Sequence, residues 1–412
     1  MSRSLRTIVT ALLFAMAPAM AFSQASVALP PASAIDSSPA QQPQPQAMPP
    51  DAAQPAPIER VPAATQPTAQ PDAQPPVTPD GEKAARKLAD KKDKKNSEDN
   101  DQPIAAADIH NPVIWHDPGD IVHKDLLNGQ GGEKRQPLPP FTFVDEDTSG
   151  TNPKFDIRDA NGKKWRVKLG EEARPEVVAS RLLWAVGYFV NDDYTLENAQ
   201  VIDIHLKRGG DRITANNRLP DARFSRKPGG EDKIAIWEWK NNPFTGTREF
   251  NGLRVMMAVM NNWDLKDVNN SVYTDEKTGQ QIFLVNDVGA TFGTNGLSFT
   301  RARSKGNIDS FRGSKFIQKV IGTEVDFETP KAPKALLLES GGAAFKTYSK
   351  RASYDWIGNN IPRKDARWMG DLLGQLSHQQ LVDAFRAGNF PSSEVEAYVE
   401  LVEGRIAELK KL

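Results

Sequence analysis

Alternating apolar and polar residues predict a set of short strands in the middle of the chain. Residues 141–144 are β-prone, and residues 155–158 and 165–169 alternate large apolar side chains with polar ones. Residues 159–162, between the last two segments, contain an Asn-Gly pair that suits the positive φ angles of a hairpin turn. Residues 201–204 predict one further strand. These segments indicate a small β-rich unit.

Helical periodicity interrupts the strands once and then dominates the rest of the chain. Pro175 suits the first turn of a helix that extends to about residue 186, and Gly187 is expected to end it. Residues 248–262 repeat apolar positions at helical spacing. The apolar face of this second helix carries Leu253, Met256, Met257 and Met260.

The C-terminal third of the chain carries clear signals for helix ends. Ser377-x-x-Gln380 and Ser393-x-x-Glu396 predict capping boxes, in which side chains bind the free backbone N–H groups of a first turn. Gly388 is expected to close the helix between them. Upstream of these, a strand is predicted at residues 281–286 and a helix around Pro362, Trp368 and Leu372.

The order of these elements predicts an α+β fold with two lobes around one cleft. Residues 104–210 are assigned to an N-terminal strap and a small β-rich N-lobe that contains one helix. Residues 211–412 are assigned to a larger, helical C-lobe. About 300 residues are enough to bury two such lobes.

The first 21 residues have the three parts of a signal peptide. Arg3 and Arg6 supply the positive charge, residues 8–16 are apolar, and residues 19–21 fit a small-x-small cleavage site. The apolar run is shorter than the roughly 20 residues that cross a bilayer as a helix. An uncleaved anchor or an ordinary hydrophobic N-terminus is the alternative interpretation. The pattern predicts a secreted or periplasmic protein with no transmembrane helix after cleavage.

Residues 22–103 are predicted to be a disordered linker. Up to about residue 80 the composition is Pro, Ala and Gln, which cannot bury enough apolar surface to offset the entropy of ordering. The block from residue 83 to 101 is dense in charges of both signs. The chain has no cysteine, which excludes disulfides and thiolate metal sites, and its net charge of −1 favours no nucleic-acid partner.

Three histidines lie close together after the linker, at His110, His116 and His123. Their spacings of six and seven differ from the short spacings of zinc sites, and no cysteine is available as a further ligand. We therefore favour a strap packed on the first lobe over a metal site.

Lys168 stands in the middle of a predicted strand and has two candidate partners on the next helix. Glu176 shares a stripe with apolar residues, and a carboxylate in such a stripe needs a cation because an unpaired buried charge is costly. Glu172 lies one turn earlier and is the competing choice. An exposed lysine on a solvated sheet face is the simpler interpretation of Lys168 alone.

Ser149, Gly150 and Thr151 form a candidate phosphate loop between two predicted strands. Hydroxyls and backbone N–H groups around one glycine can wrap a phosphate. An ordinary surface hairpin explains the same residues equally well.

The run Asp264-Leu265-Lys266-Asp267-Val268-Asn269, with Asp287-Val288-Gly289 eighteen residues after Asn269, carries the chemistry of phosphoryl transfer. Asp264 would orient or deprotonate an acceptor hydroxyl, and Lys266 would neutralise the moving phosphate. Asn269 and Asp287 would hold a magnesium ion on the nucleotide. A polar turn with capping side chains is the structural alternative.

In order and spacing these residues resemble the nucleotide site of the protein-kinase-like superfamily, in which Asp-Leu-Lys-x-x-Asn precedes an Asp-Phe-Gly motif. The resemblance covers residues 141–292 and is closest to the atypical HipA-type, phosphoinositide-kinase-like and secretory-pathway kinases. Two positions depart from the pattern. Trp263 replaces the arginine that often precedes the catalytic aspartate, and Val288 replaces phenylalanine.

The resemblance implies a phosphotransferase that uses ATP with Mg²⁺ or Mn²⁺ and acts on a hydroxyl of a protein, a lipid or a sugar. Lys168 paired with Glu176 would hold the nucleotide phosphates together with the loop at residues 149–151. Two alternatives remain: a pseudokinase that serves as a surface or periplasmic binding module, and a nucleotidyl transferase on the same fold.

Overall fold

A computed structural model describes most of the chain beyond residue 100. The described residues are 101–148, 152–227, 233–262, 264–293, 305–328 and 353–412. The predicted signal peptide, most of the predicted linker, the loop at 149–151 and Trp263 lie outside these ranges. The last linker residues are described. The Ile236 N–H donates to the Gln102 carbonyl at 3.0 Å, and the Ile104 N–H donates to the Ile236 carbonyl at 2.9 Å.

A strap precedes the first lobe and includes the two-residue strand β1 (Pro112–Val113). The Trp115 indole donates to the Val186 carbonyl, and the Gln380 amide donates to the carbonyls of Ile121 and Lys124. The strap therefore contacts both the first lobe and a C-terminal helix.

The three histidines of the strap each contact different residues. His110 contacts the Asp108 carbonyl and Gln281, His116 packs on Phe189, and His123 contacts the Asp120 carboxylate. No cluster of three or more His, Asp or Glu side chains suited to a metal occurs among the described residues.

Five strands close into a barrel that forms the first lobe. They are β2 (Phe141–Asp147), β3 (Lys154–Arg158), β4 (Lys164–Leu169), β5 (Asp192–Ile202) and β6 (Arg218–Arg226). Their order around the barrel is β2-β3-β4-β6-β5, with β2 and β5 parallel and the other pairs antiparallel. The barrel continues past residue 210, where the sequence pattern places the end of the first lobe.

The barrel interior follows from the alternation of residues along its strands. Trp165, Val167 and Leu169 of β4 are buried with Phe155 and Phe224 of the neighbouring strands. The strand predicted at residues 201–204 begins nine residues earlier, at Asp192. The pattern missed this start because the pair Asp192-Asp193 is polar in sequence but buried in the structure.

One helix, α1 (Ala173–Ala185), lies between β4 and β5, close to the predicted range. It ends at Ala185, and Gly187 follows two residues later with a φ of +95°, at a place where a Cβ would clash with the His116 carbonyl oxygen. Both the left-handed backbone and the close approach of the strap require glycine at this position. The apolar side chains of α1 belong to the core of the helical lobe.

The second lobe begins with a mixed sheet and a buried helix. Its elements are β7 (Lys233–Ala235), α2 (Arg248–Val259), β8 (Asn270–Thr274) and β9 (Gln281–Val285). The sheet order is β1-β9-β8-β7. The predicted apolar face of α2 is correct but too narrow, because every residue from Phe250 to Val259 is buried.

The remaining described elements complete the helical lobe. They are α3 (Ile308–Arg312), β10 (Ile317–Ile321), β11 (Glu324–Phe327), β12 (Ile361–Pro362), α4 (Arg363–Leu373), α5 (His378–Ala387) and α6 (Ser392–Lys410). Within the described ranges no helix combines the length and hydrophobicity needed to cross a bilayer.

One of the two predicted capping boxes is present and the other is wrong. Ser377 and Gln380 form theirs at the start of α5. Helix α6 instead starts at Ser392, directly after Pro391, and has no side-chain cap. The fixed φ of Pro391 starts the helix one residue early, which leaves Ser393 inside the first turn. Glu396 contacts His378 of α5 instead.

Gly404 offers a direct test of the energetics of α6. It is exposed in the helix interior, and a Cβ built there meets no atom within 4 Å. We expect Gly404→Ala to raise the free energy of unfolding by about 0.5–1 kcal/mol, since alanine loses less backbone entropy in a helix. Urea unfolding measures the change. A loss of stability would contradict the exposed position of Gly404.

Candidate active site

The site is centred on the ammonium group of Lys168. This residue faces away from the barrel interior, yet only 6% of it is exposed. Its Nζ donates to Glu176 Oε2 at 2.8 Å, to Asp287 Oδ1 at 3.1 Å and to Glu172 Oε2 at 3.3 Å. One ammonium therefore joins the first lobe to a residue 119 positions later in the second. An exposed lysine on a solvated sheet face is excluded.

Both candidate partners of Lys168 reach it, and Glu176 is the closer. The second oxygen of Glu176, Oε1, lies 2.5 Å from Nη1 of Arg223 on β6. The second oxygen of Glu172 lies 2.5 Å from Lys305 Nζ. Each glutamate thus has Lys168 on one side and a different buried cation on the other.

The charges of this cluster perturb one another strongly. Burial favours the neutral form of Lys168, but Asp287, Glu176 and Glu172 outweigh it, so the pKa of Lys168 lies above its ordinary value. Burial likewise opposes the charge of Asp287, and the ammonium of Lys168 overcomes it, so the pKa of Asp287 lies well below its usual range. Both groups are charged at neutral pH.

Hairpin β8–β9 sets the position of the metal-ligand candidates. Asn270 pairs with Val285, which places the preceding Asn269 beside Asn286, the residue before Asp287. The Asn286 N–H donates to the Asn269 carbonyl at 2.8 Å. The two candidate ligands therefore leave neighbouring strands at the same end of one hairpin.

The loop before β8 holds Asp264 close to this end of the hairpin. The Asn269 amide donates through Nδ2 to the Asp264 carbonyl at 2.7 Å, which turns its Oδ1 into the atom able to face a cation. Lys266 Nζ lies 3.0 Å from Asp264 Oδ2. The Tyr354 hydroxyl donates to the Asp267 carboxylate at 2.7 Å, which links the loop to a later part of the chain. These contacts tie the loop together and link it to Tyr354, whereas a simple polar turn would need only capping side chains.

The candidate phosphate loop at Ser149, Gly150 and Thr151 lies outside the described residues, but both of its ends are described. Asp147 pairs with Lys154 across the β2–β3 hairpin, and Lys154 pairs with Lys168 on β4. The Pro153 carbonyl accepts from the N–H of Leu169 at 3.0 Å. The residues that follow the loop thus lie next to the strand position of Lys168.

The structure brings Lys168, Glu176 and Asp287 into direct contact and places Asp264, Lys266 and Asn269 in the adjoining loop. Sequence reasoning missed Arg223 and Lys305. Strand β6 was not predicted, because Pro220 interrupts its apolar alternation, so Arg223 gave no usable signal. Lys305 lies in a polar stretch of the sequence, where no pattern predicts a buried partner for it.

The residues present fit a magnesium ion bound together with a nucleotide. Mg²⁺ in such sites takes one or two protein oxygens and completes its shell with phosphates and water. Asp287 and Asn269 supply two oxygens from one end of hairpin β8–β9. Burial raises the pKa of Asp287, and the charges of Lys168, Arg223 and then Lys266 lower it.

No family model and no curated protein matches this chain. Among solved structures, a Helicobacter pylori proinflammatory kinase, CtkA, is similar at 11% identity over 66% of this chain and 99% of that chain, with a TM-score of 0.29. A likeness this weak carries no argument, so the function is argued from the contacts of this chain.

Gly289 follows the Asp-Val pair for a steric reason that can be tested. A Cβ at this position would lie 2.7 Å from the Glu172 Cβ and 2.9 Å from its carbonyl oxygen. We expect Gly289→Ala to lower the free energy of unfolding by about 1–3 kcal/mol, as overpacking does in a close-packed site. Thermal unfolding measures it. Gly210→Ala, where a Cβ meets nothing within 4 Å, is the matched control. Equal stability of both variants would contradict the prediction.

Proposed function

We propose that this chain is an exported kinase-like phosphotransferase that uses ATP with Mg²⁺ or Mn²⁺ and acts on a hydroxyl of a protein, a lipid or a sugar. One observation carries the proposal: the Lys168 ammonium contacts Glu176 from α1 and Asp287 from the turn after β9 at the same time. Positioning plus electrostatic stabilisation is almost all that catalysis of phosphoryl transfer requires, and this contact assembles the cationic part of it.

Each residue then has a distinct task. Lys168, kept in place by Glu176, binds the α- and β-phosphates, and Ser149, Gly150 and Thr151 would supply N–H groups and hydroxyls to the same phosphates. Asp287 and Asn269 would hold the metal ion, which would supply positive charge to the phosphates. A lysine that binds phosphate must be charged, and the raised pKa of Lys168 supports this role.

Asp264 and Lys266 act on the transferred group. The Asp264 carboxylate orients the acceptor hydroxyl and takes its proton while the oxygen attacks the γ-phosphorus and the bond to the β-phosphate oxygen breaks. Lys266, now 3.0 Å from Asp264, turns to the γ-phosphate and neutralises charge on it. The products are the phosphorylated acceptor and ADP.

The signal-peptide pattern of residues 1–21 supports export, and the long Pro-rich linker supports a folded part held away from the site of attachment or release. The acceptor is then a molecule outside the cytoplasm or in a secretory compartment. The lack of a basic bias in the whole chain argues against a nucleic-acid acceptor.

Nucleotide and metal titration of the purified chain tests the proposal. We expect ATP to raise the unfolding temperature only when Mg²⁺ or Mn²⁺ is present, and γ-labelled ATP to label a protein, lipid or sugar acceptor. Nucleotide binding without transfer would favour a pseudokinase. Transfer of label from the α-phosphate only would indicate a nucleotidyl transferase. No response to any nucleotide with metal would overturn the proposal.

A further inference from the structure

A buried arginine on β6 lies next to Lys168 and is not among the residues to which the proposed phosphoryl transfer assigns a task. Arg223 is the Cα partner of Lys168 across the β4–β6 pairing and of Thr195 across β5–β6. Direct partners on adjacent strands point to the same face of a sheet, so Arg223 and Lys168 both face α1. Only 5% of Arg223 is exposed.

The guanidinium of Arg223 is bound by two carboxylates from different elements. Its Nη1 lies 2.5 Å from Glu176 Oε1 on α1 and 3.6 Å from Asp193 Oδ1 on β5. Asp193 is itself bound by the hydroxyl of Ser180 on α1. Arg223 is therefore fixed by the strand that precedes it in the barrel and by the helix that carries Glu176.

Glu176 is the point at which Arg223 reaches the nucleotide site. Its two oxygens are divided between two cations, Oε2 to Lys168 and Oε1 to Arg223. Glu172, by contrast, lies 3.3 Å from Lys168 and 2.5 Å from Lys305, so its closer cation is Lys305, which lies outside the barrel. Among the described residues, Glu176 is the carboxylate around Lys168 that a second cation from the barrel also binds.

This difference matters when a nucleotide binds. Asp287 would share its carboxylate between Lys168 and the metal ion, and Lys168 would give part of its hydrogen bonding to phosphate oxygens. With Arg223 in place, one Glu176 oxygen stays fixed whether or not Lys168 contacts the other. Without Arg223, Glu176 is free to give both oxygens to Lys168, which then competes with the phosphates.

We propose that Arg223 is a positioning residue that fixes Glu176, and through it holds Lys168 ready to bind the nucleotide phosphates. The inference rests on the proposed function, because it assigns Arg223 to the same nucleotide site. The pKa of Glu176 supports it, since burial raises this pKa to about 7 and Arg223 is the strongest influence that opposes the rise.

Calorimetric titration of the full chain with Mg–ATP at neutral pH, together with steady-state kinetics, tests the inference. We expect Arg223→Gln to raise the dissociation constant and the KM for ATP by about tenfold or more, the scale of losing one partner of a buried charge pair, with a smaller change in kcat. Arg223→Lys keeps the charge but loses the planar fork and is expected to recover part of the affinity. Arg218→Gln makes the same change at an exposed position of the same strand and should leave the affinity unchanged.

A double-mutant cycle separates this role from a purely structural one. If Arg223 acts through Glu176, then Arg223→Gln should cost little further affinity in a Glu176→Gln background. Additive losses, or a folded Arg223→Gln protein with wild-type dissociation constant and KM, would overturn the inference. Should Arg223→Gln fail to fold, Arg223→Lys decides, since an affinity equal to wild type would overturn it. Absence of Mg–ATP binding in the wild type would instead defeat the proposed function before any variant is compared.

Discussion

Asp287→Asn is expected to lower Mg²⁺-dependent nucleotide binding and phosphoryl transfer by at least about a hundredfold, the loss typical when one preorganised electrostatic group is removed from such a site. The substitution keeps the shape of the side chain and removes its charge. Asparagine is a poor replacement because Mg²⁺ in nucleotide sites is bound mainly through carboxylates. The effect should be largest at limiting metal concentration and should shrink as the metal concentration rises.

The fold should survive this substitution. Lys168 keeps Glu176 at 2.8 Å and Glu172 at 3.3 Å, and the Asp287 side chain is 38% exposed, so solvent screens its pair with Lys168. The depressed pKa of Asp287 means that its pairing contributes stability at neutral pH and loses it only as the pH falls below the ordinary range of a carboxyl group. Asp287→Asn loses this contribution, which solvent screening keeps small, so we expect a folded protein whose unfolding temperature at neutral pH is modestly lower.

Asp275→Asn is the matched control for Asp287→Asn. Asp275 lies at the opposite end of hairpin β8–β9, where its carboxylate accepts backbone N–H bonds from Lys277 and Thr278. The same chemical change there leaves the candidate metal ligands untouched. Wild-type metal-dependent binding in Asp287→Asn, or an equal loss in both variants, would exclude the assignment of Asp287.

The parts of the site that lie within local elements could be predicted from the sequence. The strand that leads into Asp287 was predicted, whereas β8, which pairs with it and brings Asn269 to the same end of a hairpin, was not. The contact of Lys168 with Glu176 followed from a lysine inside a strand and a carboxylate in an apolar helical stripe. The assignment of chemical roles to these residues remains a prediction.

The contributions of Arg223 and Lys305 could not be predicted, because they depend on the order of strands and on long-range packing. Arg223 reaches Glu176 only because β6 inserts between β4 and β5, an arrangement that local patterns do not encode. The pair Asp192-Asp193 is polar in sequence, which gives no strand signal, yet it is almost fully buried in β5. Buried polar networks of this kind contradict the rule that charged residues lie outside, and functional sites are where such exceptions are expected.

Glu176→Ala is expected to lower the free energy of unfolding by about 3–5 kcal/mol, the usual result of removing one partner from a buried ion pair. Lys168 would keep two other carboxylates, but Arg223 would retain only Asp193 at 3.6 Å. The loss therefore comes mainly from an uncompensated guanidinium in a place where 5% of Arg223 is exposed. Urea unfolding with linear extrapolation measures it, and Glu197→Ala, an exposed glutamate on β5, should change stability by no more than about 0.5 kcal/mol.

A second pair of variants tests the cause of the loss. If the cost of removing Glu176 is the stranded charge of Arg223, then removing both charges should recover much of the stability, because apolar residues of similar size often replace a buried pair without loss. We expect Glu176→Met with Arg223→Met to be more stable than Glu176→Met alone. A double variant that is as unstable as the sum of the two single variants would show that the two residues stabilise the fold independently, and the energetic link between α1 and β6 would have to be abandoned.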